Sequence, residues 1–103
     1  MAPPTDYGVE WIEEVCGLYF RSILLQEGMR VPQHAHDHDH ATYIGAGEVR
    51  VSIDGKEFGV FKAGQAVPVK AGHIHEFLAL KNDTRLACVH DVGSAESIKA
   101  KGL

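Results

Sequence analysis

Seven histidines stand in this 103-residue chain, and six of them fall in two short stretches. His34, His36, His38 and His40 alternate with Ala35, Asp37 and Asp39, and His73 and His75 follow after a glycine-containing interval. Neutral imidazole carries a nitrogen lone pair near pH 7 and is the commonest metal-binding side chain. The two clusters together point to one transition-metal ion. In a strand, residues i and i+2 face the same side, so His34 and His36 present two nitrogens to a single ion. His40 follows four residues later, with room for a small loop, and opens a strand in which His40, Thr42 and Ile44 share a face. His75 reaches the same point from a separate strand packed beside the first two. His38 is the rival of His40 for the same role; otherwise His38, Asp37 and Asp39 belong to a solvated turn. An unstructured metal-scavenging tract is the competing reading of residues 34–40, and the second cluster argues against it.

The other candidates surround that centre. His73 belongs at the mouth of the site, where it can orient a ligand, or on the surface, and with Tyr43 and Phe77 it is a pocket candidate. Thr42 and Ile44, on the His40 face, would form the floor, while Glu76 should point away from His75. His90, near the end of the last strand, reads as a structural histidine. No Ser/His/Asp arrangement, phosphate-cradling glycine loop or second carboxylate pair is evident. Proton transfer would fall to metal-bound water, a histidine or a tyrosine, and no single catalytic residue is assigned.

These residues need strands to hold them. Residues 9–16 fit a strand or a short helical turn, and their periodicity does not decide. Leu18 to Leu25 is β-branched and aromatic and reads as a strand. Pro32 suits an edge strand just before the histidines. Glu48 to Ile53 alternates polar and apolar residues, and Asp54-Gly55 is a hairpin signal before Glu57 to Phe61. Gly45-Ala46-Gly47 reads as a turn, and Gln65 to Val69 as a short edge or bulged strand carrying Pro68. Glu76 to Leu80 and Arg85 to His90 complete the set. Short strands with turn signals every eight to twelve residues predict an all-β sandwich or barrel. The division expected is an N-terminal arm or strand over 1–17, a barrel over 18–92 and a tail or short helix over 93–103.

Composition narrows the partners. The chain is 45% hydrophobic and 23% charged, with a formal charge of −4, the profile of an ordinary globular domain. A mildly acidic chain without a basic run argues against nucleic acid and against an anionic membrane surface. No apolar stretch approaches a membrane span, and the N-terminus does not read as a signal peptide. Cys16 and Cys88 are too few for a disulfide framework and read as free, buried thiols, so a cytoplasmic setting is expected.

At this point the chain resembles the cupin family. The first cupin motif is a glycine, five residues, His-X-His, three or four residues, a glutamate, six residues and a glycine. Here Gly28 is followed after five residues by His34-Ala35-His36, after three more by His40, and after six more by Gly47. The second motif is a glycine, five residues, Pro-X-Gly, two residues, a histidine, three residues and an asparagine. Gly64 is followed after five residues by Lys70-Ala71-Gly72 and after two more by His75. Three positions depart: His40 replaces the glutamate, Lys70 the proline, and Ala79 the asparagine. The resemblance implies a double-stranded β-helix, or jelly-roll barrel, with a metal inside it. Carried over by position, the ligands are His34, His36, His40 and His75. The metal implied is one divalent ion among Fe, Mn, Ni, Cu and Zn, since imidazole suits several of these.

The His40 departure has a chemical consequence. Four neutral ligands leave the ion its full double charge, and in an octahedral site two adjacent positions stay open. The expected function is therefore an oxidoreductase of the dioxygenase type acting on a small organic molecule. An isomerase or lyase using the ion as Lewis acid, a module that only binds a small ligand, and a closed structural metal site are the alternatives. Trp11, Ile12, Val15 and Leu18 lie outside the motif region and are more apolar than a small barrel can bury alone, which predicts a homodimer.

Overall fold

Period-two alternation and glycine turns set the strands. The structure, a computed structural model, describes residues 10–32 and 39–91. Among them run β1 (Glu10–Val15), β2 (Leu18–Leu25), β3 (Arg30–Pro32), β4 (His40–Ala46), β5 (Glu48–Ile53), β6 (Lys56–Lys62), β7 (Ala66–Val69), β8 (His75–Ala79) and β9 (Thr84–Asp91). No helix occurs among the described residues, and hence none long and apolar enough to cross a membrane. The tail beyond Asp91, where a short helix is one expectation, lies outside the described residues.

The strands form two antiparallel sheets, β1-β2-β9-β4-β7 and β3-β8-β5-β6. All the connections that stay within one sheet are tight hairpins. Between β1 and β2 the turn is Cys16-Gly17 with φ of 52° and 75°, and between β5 and β6 it is Asp54-Gly55 with φ of 51° and 81°. Positive φ at both central residues is the signature of a type I′ turn, whose twist matches the strands it joins. Elsewhere the chain crosses from one sheet to the other, which wraps the two sheets around one core. This is the all-β, double-stranded β-helix arrangement.

Residues 10–15, undecided between helix and strand, are a strand because β2 offers them a full antiparallel register from Glu10↔Ile23 to Val15↔Leu18. Gly45 and Ala46, expected in a turn, instead continue β4. The pairing with β9 persists past them, absorbed by a register shift between Ile44 and Ala46. Both strand prolines lie on sheet edges, Pro32 in β3 and Pro68 in β7, where a missing N–H costs least.

The core sits between the sheets. Ile23, Leu25, Ile44, Val67 and Leu86 from the larger sheet meet Val31, Val49, Val51, Phe77 and Ala79 from the smaller one. Burying a side chain of this size stabilises the fold by about 1.5–3 kcal/mol. The opposite face of the larger sheet stays apolar and open. Trp11, Val15, Leu18 and Tyr43 lie on it, each more than a third exposed.

Candidate metal centre and pocket

The inward face of β4 carries His40, Thr42 and Ile44, as alternation requires, with Thr42 and Ile44 fully buried. Thr42 Oγ1 lies 3.5 Å from the Sγ of Cys88 across β9, and Ile44 belongs to the hydrophobic core. Neither lines the pocket described below, so the expected floor is part of the core instead. The same alternation turns Tyr43 outward. It is 46% exposed, and its expected place in the pocket is corrected on that ground. Phe77, also a pocket candidate, points inward but is sealed into the core cluster.

His40 pairs in register with Val69 at the end of β7. The chain leaving Val69 runs through residues 70–74 and returns at His75, so both histidines border one end of the barrel. His75 opens β8, pairs with Ile53, and is 1% exposed. Its Nδ1 lies 3.3 Å from the carbonyl oxygen of His73. A carbonyl only accepts, so Nδ1 carries a proton, and in the neutral ring Nε2 keeps its lone pair. This is the arrangement that fixes the tautomer and ring of a metal-binding histidine. Glu76, the next residue, faces the other way toward Arg30, 3.9 Å away.

His90 is buried on the inner face of β9. Its ring stacks on Tyr19 with centroids 4.9 Å apart and meets His40 edge-on at 5.7 Å. It therefore packs edge-on against a candidate ligand, a contact that its place near a strand end did not reveal.

A cavity of about 230 Å³ opens beside this end of the barrel. Ile53, Phe58, Pro68, Lys70, His73 and His75 line it. Phe58 reaches it because a register shift between Val51 and Ser52 adds a residue to β6, and its ring stacks on Phe61. His73 stands at the cavity's edge, half exposed. Its Nδ1–H donates to Asp54 Oδ2 at 2.7 Å, while the amide N–H of Ile74 donates to Asp54 Oδ1 at 2.8 Å. The His73 hydrogen bond, then that of Ile74, holds the Asp54 carboxyl below its usual range. On the other side of the mouth, Asp39 Oδ1 accepts the amide N–H of Ala71 at 2.8 Å, and Oδ2 lies 3.4 Å from Lys70 Nζ. Two aspartates thus pin the 70–74 turn from opposite ends.

The expected ligands His34 and His36, and their rival His38, lie outside the described residues. The described residues contain no group of three or more His, Cys, Asp or Glu placed to hold a metal. Within that frame His40 and His75 fit the donor chemistry: two imidazoles from opposite sheets, one of them with its tautomer set for coordination. Phe58 and Lys70 were missed as pocket residues. The β6 register shift that brings Phe58 in has no local signal beyond Gly59, whereas Lys70 was marked by its departure from the proline of the second motif.

Residues 21–90 match the family model of the cupin domain. No curated protein sequence matches the chain. Among solved structures, a cupin superfamily protein from Desulfitobacterium hafniense is similar with a TM-score of 0.69 at 13% identity, over 88% of this chain and 83% of that one. KdgF from a Halomonas species gives 0.66 at 22% identity, over 78% and 74%. The cupin domain of Schizosaccharomyces pombe Cnp3 gives 0.65 at 15% identity, over 92% and 69%. At such identities these likenesses speak for the fold. With more than half of the chain matched to the family, and a two-sheet barrel of the same shape, this chain belongs to the cupin family.

Proposed function

We propose that this chain is a metal-dependent cupin enzyme that oxidises a small organic molecule, in the manner of a dioxygenase, at a centre held by His34, His36, His40 and His75. The observation that carries the reading is the His75 ring: buried, turned inward, bordering a cavity, with Nδ1 hydrogen-bonded to a carbonyl and Nε2 left to coordinate. A bound Fe, Mn, Ni or Cu ion would supply adjacent sites for substrate and oxygen, and Zn would supply Lewis-acid chemistry alone. The chain's own part is to bind and orient. Ile53, Phe58 and Pro68 give the cavity apolar walls that exclude water, and His73, fixed by Asp54, sets a hydrogen-bonding group at the mouth.

The test is metal analysis of protein isolated from its own host, with oxygen consumption followed on a panel of small organic substrates. Native redox metal and substrate-dependent oxygen uptake support the reading. Zinc alone with no uptake overturns the oxidase assignment, and turnover under strict anaerobiosis would make the enzyme an isomerase or lyase.

The same reading includes a homodimer built on the outer face of the larger sheet. Trp11, Val15, Leu18 and Tyr43 are exposed there, and Glu13 and Arg85 lie on the same face by register, opposite charges that a two-fold axis can pair. No disulfide joins Cys16 and Cys88: Cys88 is buried as expected, whereas Cys16, in the β1–β2 turn, is exposed, and two unbridged cysteines fit the reducing cytoplasm proposed as the setting.

A further inference from the structure

The cavity lining has an uneven charge. Its walls are Ile53, Phe58 and Pro68, and the lining residues that carry polar groups are Lys70, His73 and His75, with the Lys70 ammonium resting near Asp39. Among the described residues no carboxylate lines it. The two aspartates at the mouth are occupied: Asp54 by His73 and the Ile74 amide, Asp39 by the Ala71 amide and Lys70. Lys70 carries three N–H donors, and one Asp39 oxygen, Oδ2, lies near its ammonium, at 3.4 Å, in a pair more than half exposed on both sides. Exposed pairs of this kind hold little free energy, so the ammonium can turn to a ligand at small cost. Its backbone is fixed: the Lys70 carbonyl accepts the His73 amide at 3.4 Å, and the next amide is bound to Asp39. A lysine stands where the cupin motif has a proline, so this charge belongs to this chain.

From these features we infer that the cavity takes a small organic carboxylate, its apolar body between Ile53, Phe58 and Pro68 and its carboxylate held by Lys70. A cavity of about 230 Å³ is below the roughly 300–1,000 Å³ of pockets for drug-sized ligands, so the ligand is small. A phosphate would call for several charge-assisted donors, and the lining offers one ammonium. The inference rests on the reading of this site as a small-molecule pocket and adds the class of ligand and the residue that selects it.

The experiment compares benzoate with its neutral isostere benzamide, titrated into amide-resolved NMR samples of chelator-treated and of zinc-loaded protein. Both probes should shift the amides around Phe58 and residues 70–74, with benzoate bound about tenfold more tightly, the scale of one hydrogen bond to a charged group. Lys70→Gln should abolish that preference and Lys70→Arg should keep it, in both samples. Equal binding of the two probes to the wild type, no shifts at these amides, or a preference that survives Lys70→Gln overturns the assignment. A preference seen only with zinc and indifferent to Lys70→Gln would place the carboxylate on the metal, sinking this inference while leaving the metal centre intact. A Lys70-dependent preference in protein that never takes up metal would do the reverse.

Discussion

The Nδ1 of His73 lies 2.7 Å from the Oδ2 of Asp54, tying the loop before β8 to the hairpin turn between β5 and β6. The hydrogen bond joins elements that border the pocket from two directions, and through Asp54 it gives the site a dependence on pH. The His73 hydrogen bond first, and that of the Ile74 amide second, lower the Asp54 carboxyl below the usual carboxylate range. A carboxyl lowered in the folded state binds its proton more readily when unfolded. Its contribution to stability is therefore complete above the ordinary carboxylate range and is lost as pH falls through the lowered folded value. Amide exchange at Ile74 should accelerate over that acid range. Asp54→Asn should remove the extra acid sensitivity while keeping the turn, since asparagine tolerates the positive φ. Acid-limb exchange identical in wild type and variant would show that the pair does not hold the loop.

A second prediction concerns Gly47, the last glycine of the first motif. Its φ is +80°, and a Cβ built there would meet Thr84, with the Thr84 Cα at 2.7 Å. Thr84 cannot retreat: it is fully buried, its hydroxyl donates to the Lys81 carbonyl at 2.8 Å, and the same oxygen accepts the Glu48 amide at 3.4 Å. Gly47→Ala combines a steric clash with left-handed strain and should cost about 3 kcal/mol or more. Gly55→Ala, at φ +81° with open space around it, should cost only about 1–2 kcal/mol. Denaturant unfolding of the two variants measures the difference, and equal losses would show that the approach of Thr84 is not what requires the glycine.

The outer face of the larger sheet yields a third. Trp11 is 48% exposed even with the Arg85 guanidinium 5.0 Å from its ring centre, and Val15 is 47% exposed. Trp11→Glu and Val15→Glu should each convert a dimer to a folded monomer, read as a halved mass by light scattering with an unchanged β-sheet circular dichroism spectrum. A wild-type protein that is already monomeric at micromolar concentration would remove the dimer from the account.

Much of this fold was legible because the signals were local. Asp54-Gly55 marks its hairpin through positive φ, Pro32 and Pro68 mark edges through a missing donor, and the alternation of residues 48–53 sets which side chains enter the core. The inward set of His40, Thr42 and Ile44 followed from the same period. What sequence could not supply were effects of pairing. The β6 register shift carries Phe58 to the pocket, and the persistence of β4 through Gly45 and Ala46 depends on β9. Tyr43 was misplaced because an aromatic on a strand is ambiguous until its neighbours claim the inner face. The aspartate clamps on the 70–74 turn join residues far apart in the chain, and no spacing rule announces them.

The central claim is that two histidine clusters converge on one cation, and an anomalous-scattering crystal structure of the natively loaded protein tests it most directly. The account predicts one ion per chain, with the Nε2 of His75 and nitrogens of His34, His36 and His40 all at about 2.0–2.1 Å, the range of metal–imidazole bonds. No anomalous peak at this end of the barrel, or an ion bound without both His40 and His75, would contradict it.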